Sequence, residues 1–248
     1  MDEFHKNICD NVLRLHKSGD LSGKPLDNAP RILGHRGASG YAFENSLAAF
    51  REAKRLGATG VELDIHASLD GALIVHHDPE IDGAGAIGAL RLEEIRAVRL
   101  PNGEQIPTLP EALETCRGLE VWIELKSLPP LLDGTLLEAI AGEDPMLLGV
   151  HAFDHRLVAR LGKRRPQLRR GILSASYPVD PVAPMISAGA TTLWQEWHLI
   201  DAELVQAVHR TGGEVVAWTV PDAAVAATLA GLGVDALCGN YPDRLRIR

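Results

Sequence analysis

Apolar and polar positions alternate along the chain as short hydrophobic runs followed by segments of helical spacing. Runs that read as buried strands lie at about 31–35, 60–65, 120–125, 147–152, 170–174, 191–195, 214–219 and 235–239. Between them stand stretches such as "SLAAFREAKRLG", "TLPEALETCRG", "DHRLVARLGKRR", "DAELVQAVHRTGG" and "DAAVAATLAGLG". These open on Ser, Thr or Asp, whose side chains cap free N–H groups, and several close on Gly, the usual stop.

Strands alternating with helices imply parallel pairing through right-handed crossovers. Eight such strands are the number that closes a barrel, so the predicted fold class is α/β, a TIM (β/α)8 barrel. A doubly wound open sheet satisfies the same periodicity, but no glycine fingerprint for a dinucleotide and no P-loop follows any strand. One interval breaks the rhythm: about 66–106, after the second strand, holds a "LDG" turn, the strand-like "ALIVHH", a Gly-rich loop and a short helical pattern. It reads as a small insertion, and long insertions in compact domains are usually functional. Residues 1–30 read as an amphipathic helix and a Gly/Pro/Asn-rich link that pack on the barrel, with 31–248 as a single barrel domain.

Composition narrows the class. With 46% hydrophobic and 23% charged residues over 248 positions, the chain can bury a sizeable core. Aromatics are only 4%, so aliphatic side chains carry most of the packing. A net charge of −8 argues against nucleic-acid binding, which needs a basic surface. The absence of a long apolar run or a basic amphipathic patch argues against stable membrane association. Cys9, Cys116 and Cys238 are scattered and odd in number, and the charged amino terminus lacks the apolar core of a secretory signal. A cytoplasmic enzyme is the expectation.

The charges on the strands are the first chemical signal. In "VELDIH", alternation sends Glu62 and Asp64 to one face and Val61, Leu63 and Ile65 to the other. In "VWIELKS", Glu124 and Lys126 share a face by the same rule. Two carboxylates at i, i+2 are ordinarily a solvated edge, but both segments read as interior strands, where a charge needs a partner. Glu62, Asp64 and Glu124 can converge at the carboxyl ends of neighbouring strands, the catalytic end of a barrel. Three carboxylates so close call for a cation, and oxygen-only ligation favours Mg²⁺ or Ca²⁺. His35 and Arg36 leave the first strand in "GHRG", beside this group, and Lys126 with Arg36 supplies charge suited to a phosphate. His76 and His77 end "ALIVHH", and with His35 would provide two proton carriers for a phosphodiester. His66, His151 and His155 are weaker candidates, and His5, His16 and His209 read as surface positions.

In order, "GHRG" with "ENSLAAF", "GVELDI", "VHHDP", "IELK", "AFDH", "AWTV" and "YPDRL" resemble the glycerophosphodiester phosphodiesterase family, over about residues 31–245. The resemblance implies a TIM barrel and metal-dependent hydrolysis of a glycerophosphodiester to glycerol 3-phosphate and an alcohol. It implies His35 and His77, rather than His76, as the acid/base pair. It implies Arg36 and Lys126 as phosphate-binding residues, Glu62, Asp64 and Glu124 as ligands of one divalent cation, Glu44 at the site edge as a further residue supporting the metal or the glycerol hydroxyls, and Trp218 as a wall of the glycerol pocket. The chain departs from the pattern where "DPEIDGAGAIG" lacks an Arg-Thr-Thr run and where Pro221 replaces an Asn. Glu196, Trp197 and His198 match nothing in it. A lysophospholipase D or phosphodiester lyase on the same barrel is the neighbouring reading, and a non-catalytic phosphodiester-binding barrel is the reading of another class.

Overall fold

The computed structural model describes residues 29–247, so most of the helix and linker expected for residues 1–30 lies outside the described residues, as does Cys9. Eight parallel strands follow the expected order: β1 (Arg31–His35), β2 (Gly60–Ala67), β6 (Glu120–Leu125), β7 (Leu148–Ala152), β8 (Arg169–Ser174), β9 (Thr192–Glu196), β10 (Glu214–Trp218) and β11 (Ala236–Gly239). Each pairs with its neighbour in chain order, and pairing of β1 with both β11 and β2 closes the barrel. Three short strands of the insertion account for the remaining labels: β3 (Leu73–Val75), β4 (Glu80–Ile81) and β5 (Gly85–Ala86).

Strand alternation sorts the side chains into two cores. Val61, Leu63, Ile65, Ile123, Val150, Leu193 and Val215 point outward and are buried against the surrounding helices. Those helices start where the caps predict: Ser46 Oγ accepts from Ala49 N–H, Asp154 from Arg156 N–H, Asp201 from Leu204 N–H and Asp222 from Val225 N–H. Each such cap stabilises its helix by about 1 kcal/mol. Leu33, Trp122, Leu173, Trp194, Val216, Ala236 and Cys238 point inward and fill the barrel.

Two indoles therefore do most of the interior filling, and glycines opposite make room for them. A Cβ on Gly149 would lie 2.6 Å from the Trp122 ring, and one on Gly171 would lie 2.8 Å from Trp194. Below this layer, at the amino-terminal end of the strands, Glu120 accepts from Arg31 at 3.0 Å, from Arg169 at 3.0 Å and from the Trp122 indole at 2.8 Å. Glu214 completes the plug through Arg31 at 2.9 Å. The barrel floor is thus sealed by paired charge, leaving the carboxyl ends of the strands as the open face.

The insertion builds on that face. β3 runs antiparallel to β2, with Ile65 opposite Val75, so the "ALIVHH" run stands outside the barrel order as expected. A satellite core of Ile74, Ile81, Ile87, Ile95, Leu100 and Ile106 holds the β4–β5 hairpin and the helix Leu92–Ala97 together. Among the described residues no helix is long and apolar enough to cross a membrane.

Replacing Gly149 by Ala forces the Trp122 ring to move, and overpacking of this kind costs about 1–3 kcal/mol. The urea midpoint of Gly149→Ala, followed by circular dichroism, will fall accordingly. An unchanged midpoint would remove the indole–glycine fit as a stability determinant.

Candidate active site

β1 ends at His35, and the chain then turns through Arg36 at φ 53° and Gly37 at φ 80°. The glycine is required there: a Cβ on Gly37 would meet the Ala49 backbone at 2.6 Å as well as carrying the left-handed φ. This tight exit aims two groups at β2 and a third at Glu44. The Arg36 N–H donates to Glu62 Oε2 at 3.1 Å, its Nε lies 3.3 Å from Asp64 Oδ2, and its Nη1 donates to both Glu44 oxygens at 2.9 Å.

Register puts His35 beside Glu62, Asp64 beside Glu124, and Glu124 beside His151 across four adjacent strands. Glu62, Asp64 and Glu124 are all buried and offer carboxylate oxygens that lie within 4.8 Å of one another. Lys126 Nζ bridges two of them, 3.0 Å from Asp64 Oδ1 and 2.7 Å from Glu124 Oε1. Asn45, also at a left-handed φ of 53°, donates from Nδ2 to Asp64 Oδ2 at 2.7 Å.

Burying like charges divides their acidities. Burial, followed by the charges of Asp64 and Glu124, pushes the Glu62 carboxyl well above the usual carboxylate range. Burial and the Asp64 charge push Glu124 up to about 7, although Lys126 opposes them. Burial also acts upward on Asp64, but Lys126 and Arg36 outweigh it and hold that carboxyl below its ordinary value. Glu62 Oε1 is buried without a hydrogen-bond partner. An oxygen-only set in which Glu62 Oε1 is orphaned and Asp64 Oδ1 is met only by the Lys126 charge fits a hard divalent cation.

One imidazole, His35, borders this group, and a second, His77, stands on the segment that leaves β3 beside β2. His35 Nδ1 lies 2.7 Å from Asn240 Oδ1, an acceptor, which leaves Nε2 with its lone pair. Burial first, and the Arg36 charge second, lower its pKa to about 4, so the ring is neutral near pH 7. His77 Nδ1 lies 2.7 Å from Asp78 Oδ1, and its backbone is tied to β2 because His66 Nε2 lies 3.0 Å from His77 O. His76 turns away and contacts the Asp78 carbonyl. Trp218, at the end of β10, packs edge-on against Phe153 with ring centroids 5.6 Å apart.

Most residues singled out in the sequence therefore meet at one mouth. Glu44 is the partial exception: its carboxylate grips Arg36 and stands outside the three-carboxylate group. His155 contacts the Leu173 carbonyl, and His209 pairs with Asp235. Sequence reasoning gave no role to Asn45 or Asn240, and underweighted His151, which is fully buried in the barrel. Asn45 was visible as the polar neighbour of Glu44; Asn240 carried no signal beyond its place after the eighth strand.

A family model described as "Glycerophosphoryl diester phosphodiesterase family" matches residues 35–244. The chain belongs to that family. Curated and solved relatives agree with this membership. A glycerophosphodiester phosphodiesterase of Caldanaerobacter subterraneus is 31% identical over 233 residues, covering 86% of this chain and 95% of that one. An Oleispira antarctica phosphodiesterase, solved in complex with the product sn-glycerol-3-phosphate, superposes with a TM-score of 0.81 at 26% identity, over 88% of this chain and 95% of that one. A glycerophosphodiester phosphodiesterase from Agrobacterium tumefaciens superposes with a TM-score of 0.76 at 26% identity, over 87% and 98%. This phosphodiesterase is thus an enzyme on a TIM barrel, and the motif order in its sequence points to the right family.

Protonation of Glu124 competes with a bound cation, because a carboxyl must be ionised to ligate. Any rise in melting temperature that a divalent cation brings to this phosphodiesterase will shrink as pH falls through about 7. Thermal unfolding from pH 8.5 to 5.5 checks this, and a cation-induced shift that is flat with pH would contradict it.

Proposed function

We propose that residues 31–248 form one catalytic barrel that acts in the cytoplasm, hydrolysing small glycerophosphodiesters to glycerol 3-phosphate and an alcohol, with one divalent cation and two histidine proton carriers. The observation that carries this reading is the meeting of Glu62, Asp64 and Glu124 within 4.8 Å beside Lys126 and Arg36. A pure binder has no use for two imidazoles poised around such a group, which favours catalysis over simple phosphodiester binding.

Glu62, Asp64 and Glu124 would hold the cation, Mg²⁺ or Ca²⁺. When bound, it supplies Lewis-acid polarisation of a phosphate oxygen and a template for the substrate. Arg36 and Lys126 then face the phosphate and offset charge that builds on its oxygens as the bond to the leaving oxygen breaks. Glu44 fixes the Arg36 guanidinium from the outer side, so its contribution is to orient that arginine. His35 enters the reaction neutral, with Nε2 free to take a proton, because Asn240 holds the opposite nitrogen. The proton His35 takes is that of the attacking water or glycerol hydroxyl as that oxygen bonds to phosphorus, and His77, held at Nδ1 by Asp78, gives a proton to the leaving oxygen. Trp218 and its neighbour Phe153 form an apolar wall suited to the carbon face of glycerol. The motif departures at Pro221 and at Glu196–His198 fall on the rim, where the leaving alcohol sits.

His35→Ala and His77→Ala will each lower kcat by at least ~10²-fold, in line with acid–base catalysis generally. Steady-state kinetics with glycerophosphoethanolamine check this, and near-wild-type turnover in both variants would remove the histidines from the mechanism.

Chelation will abolish release of glycerol 3-phosphate from a panel of glycerophosphodiesters, and Mg²⁺ or Ca²⁺ will restore it. Activity that survives exhaustive chelation would sink the metal role. A cyclic phosphate as the final product would favour the lyase reading.

A further inference from the structure

One polar side chain inside the barrel has no role in the mechanism above. His151 sits on β7 opposite Glu124 in register and is 1% exposed. Its ring packs against two indoles that also touch each other, with centroids 4.2 Å from Trp194 and 5.7 Å from Trp122 and the indoles 5.4 Å apart, which restricts its rotation. Both Nδ1 and Nε2 are buried without a hydrogen-bond partner. Inward positions on nearby strands carry Leu173, Trp194 and Val216, so this part of the barrel accepts apolar residues readily. A histidine left with two orphaned nitrogens there is costly, and such a group calls for an explanation.

The atom facing it is also an orphan. His151 Nε2 lies 3.9 Å from Glu62 Oε1, the one oxygen of that carboxylate with no partner. That separation is too long for a hydrogen bond. It is too short for an intervening water, whose two legs of ~2.8 Å would span ~4.6 Å. Closure by ~1 Å would give a direct bond of ordinary length. Glu62 Oε2 is already held by the Arg36 N–H at 3.1 Å. Each carboxylate oxygen carries two lone pairs, so a second donor on Oε1 would grip the carboxylate at both ends and still leave it lone pairs for a cation.

We propose that His151 is a positioning residue, which donates its ring N–H to Glu62 Oε1 in the cation-loaded enzyme and so fixes the direction in which Glu62 presents its charge. This inference rests on the reading of Glu62 as a metal ligand. Outer partners of ligating carboxylates commonly set metal affinity by restricting the ligand to one rotamer. The histidine therefore trades barrel stability for a more rigid cation site.

The test compares wild type, His151→Leu and His151→Gln as full-length proteins, by calorimetric titration with Mg²⁺ and with Ca²⁺ and by thermal unfolding without cation. His151→Leu will lose about 10–100-fold in cation affinity. Its cation-free melting temperature will equal or exceed that of wild type, because two unpaired buried nitrogens are gone. His151→Gln, which keeps an N–H donor at similar reach, will stay within about threefold of wild-type affinity. Three results overturn the inference: wild-type affinity in His151→Leu, an equal loss in His151→Gln, or a His151→Leu protein that fails to fold, which marks the ring as filler. A wild-type protein that binds neither cation overturns the metal reading itself, and this inference with it.

Discussion

Carboxylates forced together out of water are the constraint on which this site is built. Glu62, Asp64 and Glu124 are each less than one-tenth exposed and share a region under 5 Å across. At an effective dielectric near 20, each pair of charges at that distance repels by about 3 kcal/mol. The surroundings answer this repulsion directly. Lys126 bridges Asp64 and Glu124, Arg36 contacts Asp64, and Asn45 donates to the same carboxylate. Even so, burial keeps the Glu62 and Glu124 carboxyls weaker acids than usual, with pKa values pushed upward, which marks a group still short of positive charge.

Such a cluster needs a rigid frame, because small displacements would let the charges separate toward solvent. The closed barrel provides it by dividing labour along its axis. The floor is locked by Arg31, Arg169, Glu120 and Glu214, and the middle by Trp122 and Trp194 fitted against Gly149 and Gly171. Neither layer takes part in chemistry. The mouth carries the less comfortable groups: left-handed Arg36 and Asn45, orphaned His151 and Glu62 Oε1, and an unpartnered Trp218 indole N–H. Unpaired polarity is densest at the mouth, although it reaches the middle layer, where the Trp194 indole N–H also lacks a partner.

Several elements were legible because their signal is local. The strands fell within a few residues of their expected ranges, since alternation and capping act over a handful of positions. Glu62 and Asp64 could be assigned to one face from spacing alone, and the insertion showed itself by breaking the strand–helix rhythm. Sites for Asn240 and His151 were harder to see. Asn240 reaches His35 from 205 residues away in sequence, a contact that exists only because β11 returns to β1.

By itself the sequence determined the order of strands and helices, the sharing of one strand face by Glu62 with Asp64 and by Glu124 with Lys126, and a motif succession specific enough to identify the family. Local sterics and side-chain alternation act on neighbours along the chain, so they leave a readable periodic trace. Only the tertiary structure decided that Lys126 lies between two carboxylates, that Glu44 holds Arg36, and that His151 faces an unpaired oxygen. Those outcomes depend on barrel closure and strand register, which set distances between residues that no local pattern relates.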